Sequence, residues 1–159
     1  MGQKTPTSSQ NRAIQREIAA LAERGPEGVP QLVDQLIYTA VELRASDLHF
    51  EPTANELKVR LRLDGVMHDF CVLEGRLQPN IVARCKVMAG LLTYRTDLPQ
   101  EGGAAGGKYG DNLGLRVSTF PTNHGERVAI RLFDPEAKRM RLEELGFAAD
   151  VLRDLQTSL

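Results

Sequence analysis

From Leu57 to Leu63 the chain reads Leu-Lys-Val-Arg-Leu-Arg-Leu, with apolar and basic residues in strict alternation. A period of two puts the apolar side chains on one face of an extended strand and Lys58, Arg60 and Arg62 on the other. Asp64-Gly65 follows, a dipeptide suited to the left-handed backbone of a tight hairpin turn. Val66 to Leu73 then returns as the next strand. The basic face is either solvated or a docking surface for an acidic partner.

A second alternating pair lies between Gly114 and Leu132. Leu113, Leu115 and Val117 form one apolar face, and Val128, Ile130 and Leu132 form another. Pro121-Thr122-Asn123-His124-Gly125 between them reads as a turn. One register sets Val117 opposite Ile130, leaves Thr122 to Gly125 as a four-residue loop and places Arg116 directly opposite Arg131. Opposed like charges cost from a few tenths to about 1 kcal/mol. A register slipped by two sets Arg116 against Ala129 and relieves the clash. In the first register a phosphate between the guanidinium groups would remove the strain, because arginine is suited to binding such anions. Two solvated arginines splayed apart are the simpler alternative.

The 159 residues, 42% hydrophobic and 26% charged, have room for one ordinary domain plus a tail. A formal net charge of -1 makes no general electrostatic case for nucleic acid. Aromatic residues are 5% and Trp is absent, so base-stacking platforms are poorly supported. No apolar run approaches the roughly 20 residues that span a bilayer. Met1 to Arg12 is polar and lacks a signal core, and both points favour a cytoplasmic location. Cys71 and Cys85 form no metal-ligand spacing and read as buried free thiols.

Along the chain, residues 1–28 read as a partly disordered linker with a short helix from Arg12 to Arg24, broken by Gly25-Pro26-Glu27-Gly28. Residues 29–159 form the domain. Pro30 opens a helix carrying Leu32, Val33, Leu36, Ile37, Ala40 and Val41 at helical spacing. Ala45 to Pro52 is a strand. Pro79 sits in the first turn of a helix running to about Leu92. Residues 93–112 are irregular and glycine-rich. Leu142 to Leu159 reads as a turn and a final helix. The order of elements predicts an α+β fold, an antiparallel sheet with helices packed on one face.

Gly102 to Tyr109 nearly spells the phosphate-binding loop GxxxxGK[ST], but Tyr109 cannot replace the compact hydroxyl and no helix follows. The segment reads as a flexible loop. Asp47, His49 and Glu51 share one strand face and could touch a metal, though one strand rarely closes a metal site. Backbone bonding by Ser46 or Asp47 at the turn is the more ordinary reading. His68 and His124 are isolated, at the surface or in turns. No nucleophile and base are placed together.

Seven motifs, in order, carry a resemblance. They are Ala45 to Pro52, Val59 to Gly65, Lys86 to Gly90, Leu98 to Gly102, Leu115 to Thr119, His124 to Arg131 with Asp134, and Leu142 to Phe147. Across residues 30–159 the chain resembles the N-terminal, PAS-like domain that precedes the RecA-like motor in type II secretion and type IV pilus assembly ATPases. The resemblance implies a domain that packs over its own motor domain within a hexamer. It also implies that Arg116 and Arg131, with Arg127 as a weaker candidate, reach the phosphates of ATP. Mg and ATP would belong to the motor domain, with no cofactor expected for this chain alone. Inner-membrane platform proteins would be further partners, nucleic acid would not, and the location would be cytoplasmic and peripheral to the inner membrane. The family's basic positions before Leu98 and after Gly102 are Thr96, Asp97 and Gly103 here. Walker A and Walker B are absent from the chain, so ATP hydrolysis is not expected of it alone. A stand-alone interaction or PAS-like sensor module is the alternative.

Overall fold

A computed structural model describes residues 8–110, 113–133 and 146–158. Expectations placed on residues 1–7, Asp111, Asn112, Asp134 and Leu142 to Leu145 lie outside the described residues. Helix α1 (Ser8–Glu23) and α2 (Val29–Glu42) precede a first meander of β1 (Asp47–Pro52), β2 (Glu56–Leu63) and β3 (Val66–Glu74). Helix α3 (Gln78–Met88) leads to a second meander of β4 (Gln100–Ala105), β5 (Gly114–Thr122) and β6 (Gly125–Phe133), and α4 (Ala149–Ser158) follows. The strands form one six-stranded sheet in the order β3-β2-β1-β6-β5-β4, and every pairing is antiparallel. The α+β expectation is met, with α2 and α3 on one face. No described helix is long and apolar enough to cross a membrane.

The core follows from the alternation. Leu61 faces Leu48, Leu48 faces Ile130, and Ile130 faces Val117, so one apolar row crosses four strands. All four are buried, and Leu32, Val33, Leu36 and Ile37 of α2 lie buried with Ile81, Val82 and Cys85 of α3 above them. Each such side chain contributes roughly 1.5–3 kcal/mol through removal from water. The hairpin at Asp64-Gly65 forms as read, with φ of 49° and 81° at its two central residues. Cys85 is buried, whereas Cys71 is only half-buried, and burial pushes both thiols up to about 12.

Three local readings are corrected. Residues 100–105 are a strand rather than irregular chain, because β4 is held by backbone pairing to β5 and not by a side-chain pattern. Gly102 is needed there, since a Cβ would stand 2.5 Å from the Ala89 carbonyl oxygen. Helix α3 stops at Met88, short of Leu92: Gly90 turns left-handed at φ 66°, and the Leu91 N–H donates to the Lys86 carbonyl in a glycine-terminated cap. The supposed flexible loop after β4 is tied to α2. Lys108 Nζ lies 2.6 Å from Asp34 Oδ2, and the buried Tyr109 hydroxyl donates to Asp34 Oδ1 at 2.5 Å. Burial opposes the charge on Asp34, but the bonds from Lys108 and Tyr109 outweigh it and hold the carboxyl below its ordinary value.

The inward face also carries a charge. Glu126 shares the inward side of β6 with Val128 and Ile130, and its carboxylate stands 2.6 Å from Nζ of Lys86, which is 0% exposed. The contact is an ion pair off the hydrogen-bond direction, and Lys86 Nζ also donates to the Arg95 carbonyl at 2.6 Å. Lys86→Met would leave the buried carboxylate uncompensated and is expected to cost about 3–5 kcal/mol, with most of the loss recovered in Lys86→Met/Glu126→Leu. Urea denaturation of both variants measures this; a single variant as stable as the parent chain would refute it.

Candidate functional site

The face of the sheet away from α2 and α3 is built by the residues that alternate with the core. Its register is the one that opposes the two arginines: Arg116 pairs with Arg131 and Val117 with Ile130. The connecting turn is shorter than expected. Thr122 pairs with Gly125, so only Asn123 and His124 lie between the strands, and Thr122 Oγ1 donates to the Gly125 carbonyl at 2.6 Å.

The strands line up further residues beside this pair. One row across the sheet runs Arg62, Asp47, Arg131, Arg116 and Gly103. The next runs Asp69, Arg60, His49, Ala129, Ser118 and Glu101. Gly103 therefore occupies the position where an arginine would lengthen the cationic row. Arg60 and Arg62 are not a freely solvated basic face. Arg60 Nε donates to Asp69 at 2.7 Å, and Arg62 Nε lies 3.2 Å from Asp47.

Carboxylates offset the repulsion between the paired arginines. Arg131 Nε donates to Asp47 Oδ1 at 3.0 Å, and Arg116 Nε lies 3.1 Å from Glu101 Oε1. Both arginine side chains remain more than half exposed, at 67% and 62%, and Glu101 is 56% exposed. An exposed pair of this kind is worth about 0–1 kcal/mol, so Glu101 is an exchangeable partner. Asp47 is buried and better held. Burial opposes its charge, yet hydrogen bonds from Ser46 and Arg131 outweigh this and keep its carboxyl below the ordinary value.

A pocket of about 250 Å³ opens on this face, lined by Arg62, Arg116, Arg131, His49, Asp47 and Glu101 among others. A larger groove of about 530 Å³ at Val72, Leu73 and Gly75 is less informative, because Arg76 beside it is closed by Glu74. Arg116 and Arg131 are thus brought together, whereas Arg127 does not line the pocket. It binds Glu51 at 2.9 Å and His49 Nδ1 at 3.2 Å. Asp47 and Glu51, considered above as metal ligands with His49, are engaged by arginines, and no group of three such side chains could hold a metal among the described residues.

Two residues escaped the sequence reading. Glu126 is a charge in an inward-facing position, a signal present in the alternation itself. His49 was placed on the right face, but its burial was not foreseen. It is buried on β1, between β2 and β6, with Arg127 of β6 against its ring. Burial, then the charge of Arg127, lower the His49 pKa, against smaller opposing effects of Asp47 and Glu51. A histidine whose folded value lies below 6.5 contributes stability that is complete above 6.5 and lost as pH falls through the folded value. Nuclear magnetic resonance titration of the ring is expected to give a midpoint below 6.5; one at or above it would contradict this packing.

The sequence profile described as "Type II/IV secretion system protein" matches residues 22–159. Type II secretion system protein E of Xanthomonas campestris pv. campestris is 40% identical over 153 residues, covering 96% of this chain and 27% of that protein. Type IV pilus assembly ATPase PilB of Myxococcus xanthus is 37% identical over 140 residues, covering 86% and 24%. Type II secretion system ATPase E of Vibrio cholerae is 33% identical over 160 residues, covering 89% and 32%. The chain thus spans between 24% and 32% of the length of these relatives. With its α+β sheet and a profile match over residues 22–159, the chain belongs to the type II/IV secretion system protein family.

Proposed function

We propose that residues 29–159 form an N-terminal domain of a secretion or pilus assembly ATPase, and that Arg116 and Arg131 are laid against nucleotide phosphates held on an adjoining RecA-like motor domain. The observation that carries this reading is the direct opposition of the two arginines on an exposed sheet face, beside a pocket of about 250 Å³. The names of the Vibrio cholerae and Myxococcus xanthus relatives, both ATPases, support the motor context.

The mechanism is electrostatic. Guanidinium groups offer planar, paired donors to phosphate oxygens, and preorganised donors count most where charge develops during phosphoryl transfer. Glu101 and Asp47 hold the two groups in place beforehand, and phosphate oxygens replace Glu101 at little cost because that pair is exposed. ATP and Mg belong to the motor domain, and this chain supplies the cationic surface that closes over them. Closing and opening of the domain then couples nucleotide state to rotation within a hexamer and to work on an inner-membrane platform. The location that follows is cytoplasmic and peripheral to the inner membrane.

In the full-length enzyme, Arg131→Ala is expected to lower ATPase turnover by about a hundredfold. The fold should survive, because Asp47 keeps Arg62 and Ser46 as partners. Turnover and thermal unfolding together check this, and unchanged turnover would refute the role. Titration with ATP separates the rival reading: binding only when the motor domain is present supports the proposal, and tight binding by this chain alone points to a sensor module.

A further inference from the structure

His49 is 7% exposed and lies on β1, between β2 and β6. Its Nδ1 sits 3.2 Å from Arg127 Nη2. A guanidinium only donates, so Nδ1 accepts and the neutral ring carries its proton on Nε2. Arg127 is itself fixed by Glu51 at 2.9 Å, so the ring is oriented from its far side. Nε2 is buried and has no hydrogen-bond partner among the described residues. Native structures rarely keep a buried donor unmade, and each instance calls for an explanation.

The surroundings supply one. His49 lines the same pocket as Arg116 and Arg131. On its β6 side the row continues with Ala129 and Ser118, both small, and on its β2 side stands Arg60, which is held by Asp69 and Glu51. One row along, Arg131 and Arg116 overlook this low floor, held by Asp47 and Glu101. We infer that His49 is the third donor of this pocket, its Nε2–H binding one oxygen of a tetrahedral oxyanion whose charge Arg116 and Arg131 offset. This inference rests on the phosphate-binding reading above and adds the residue that positions the phosphate. The donors come from three strands, β1, β5 and β6, an arrangement suited to a tetrahedral phosphate group more than to a planar carboxylate. An arriving anion replaces the exposed Glu101 at Arg116, while Arg131 keeps the buried Asp47. Because the ring is neutral, it directs the anion without adding a third positive charge to a row that already contains Arg62.

The test uses the 159-residue chain labelled with nitrogen-15 and combined with the unlabelled motor domain, titrated with inorganic orthophosphate and separately with ATP, against sodium chloride at matched ionic strength. The His49 Nε2–H signal is expected to move downfield and saturate together with the Arg116 and Arg131 Nε–H signals, with no comparable response to chloride. Response to ATP at lower concentration identifies a nucleotide phosphate as the occupant; response to orthophosphate alone identifies the free ion; either supports the third donor. His49→Gln, which retains a donor, should bind like the parent chain, whereas His49→Phe should bind about tenfold more weakly. If the arginine signals move and the His49 signal does not, the third donor is refuted while the arginine pair stands. If none moves, the third donor is also refuted, and the role of the arginines is decided separately by the turnover assay. The wild-type titration remains decisive even if His49→Phe does not fold.

Discussion

The antiparallel seam between β1 and β6 is the contact on which both faces of this molecule depend. It joins two three-stranded meanders that are distant in sequence, pairing Asp47 through Phe50 with Arg131 back to Val128. On the inward side it brings Leu48 against Ile130 and makes one core from two apolar surfaces. On the outward side it brings Asp47 beside Arg131 and sets His49 next to Ala129. Because side chains alternate along a strand, displacement of the seam by one residue would send Leu48 outward and Asp47 into the core. The hydrophobic core thus fixes the geometry of the charged face.

That face reconciles close arginines with a stable sheet by interleaving them with carboxylates. Asp47 stands between Arg62 and Arg131, Glu51 between Arg60 and Arg127, and Glu101 beside Arg116. The compensation is unequal along the row. Asp47 is buried and receives several hydrogen bonds, whereas Glu101 lies on the edge strand with half of its surface in water. The cationic row is therefore held firmly at the centre of the sheet and loosely at its edge, where an outside anion competes best.

Much of this was legible in the residues. Leu57 to Leu63 and Asp64-Gly65 named a hairpin because a period of two and a left-handed turn are local properties. The opposition of Arg116 and Arg131 was one of two registers that the apolar alternation allowed. What chose between them was the tight Thr122–Gly125 turn, which fixes strand pairing by backbone geometry that residue types only weakly report. The strand at Gln100 to Ala105 was missed for a similar reason: Gly102 and Gly103 carry no side-chain pattern, and their backbone pairing to β5 is not local. The burial of His49 depends on which strands flank β1, a fact of topology rather than of its own segment.

The ion pair between Lys86 and Glu126 has a mechanical consequence. Glu126 immediately precedes Arg127 in β6, the strand that also holds Arg131, and Lys86 belongs to α3 on the opposite side of the sheet. A charged rivet through the interior fastens that helix to the arginine-bearing strand, where apolar packing alone would tolerate slippage. The helix on the back of the sheet and the guanidinium groups on its front are thus anchored to one and the same strand.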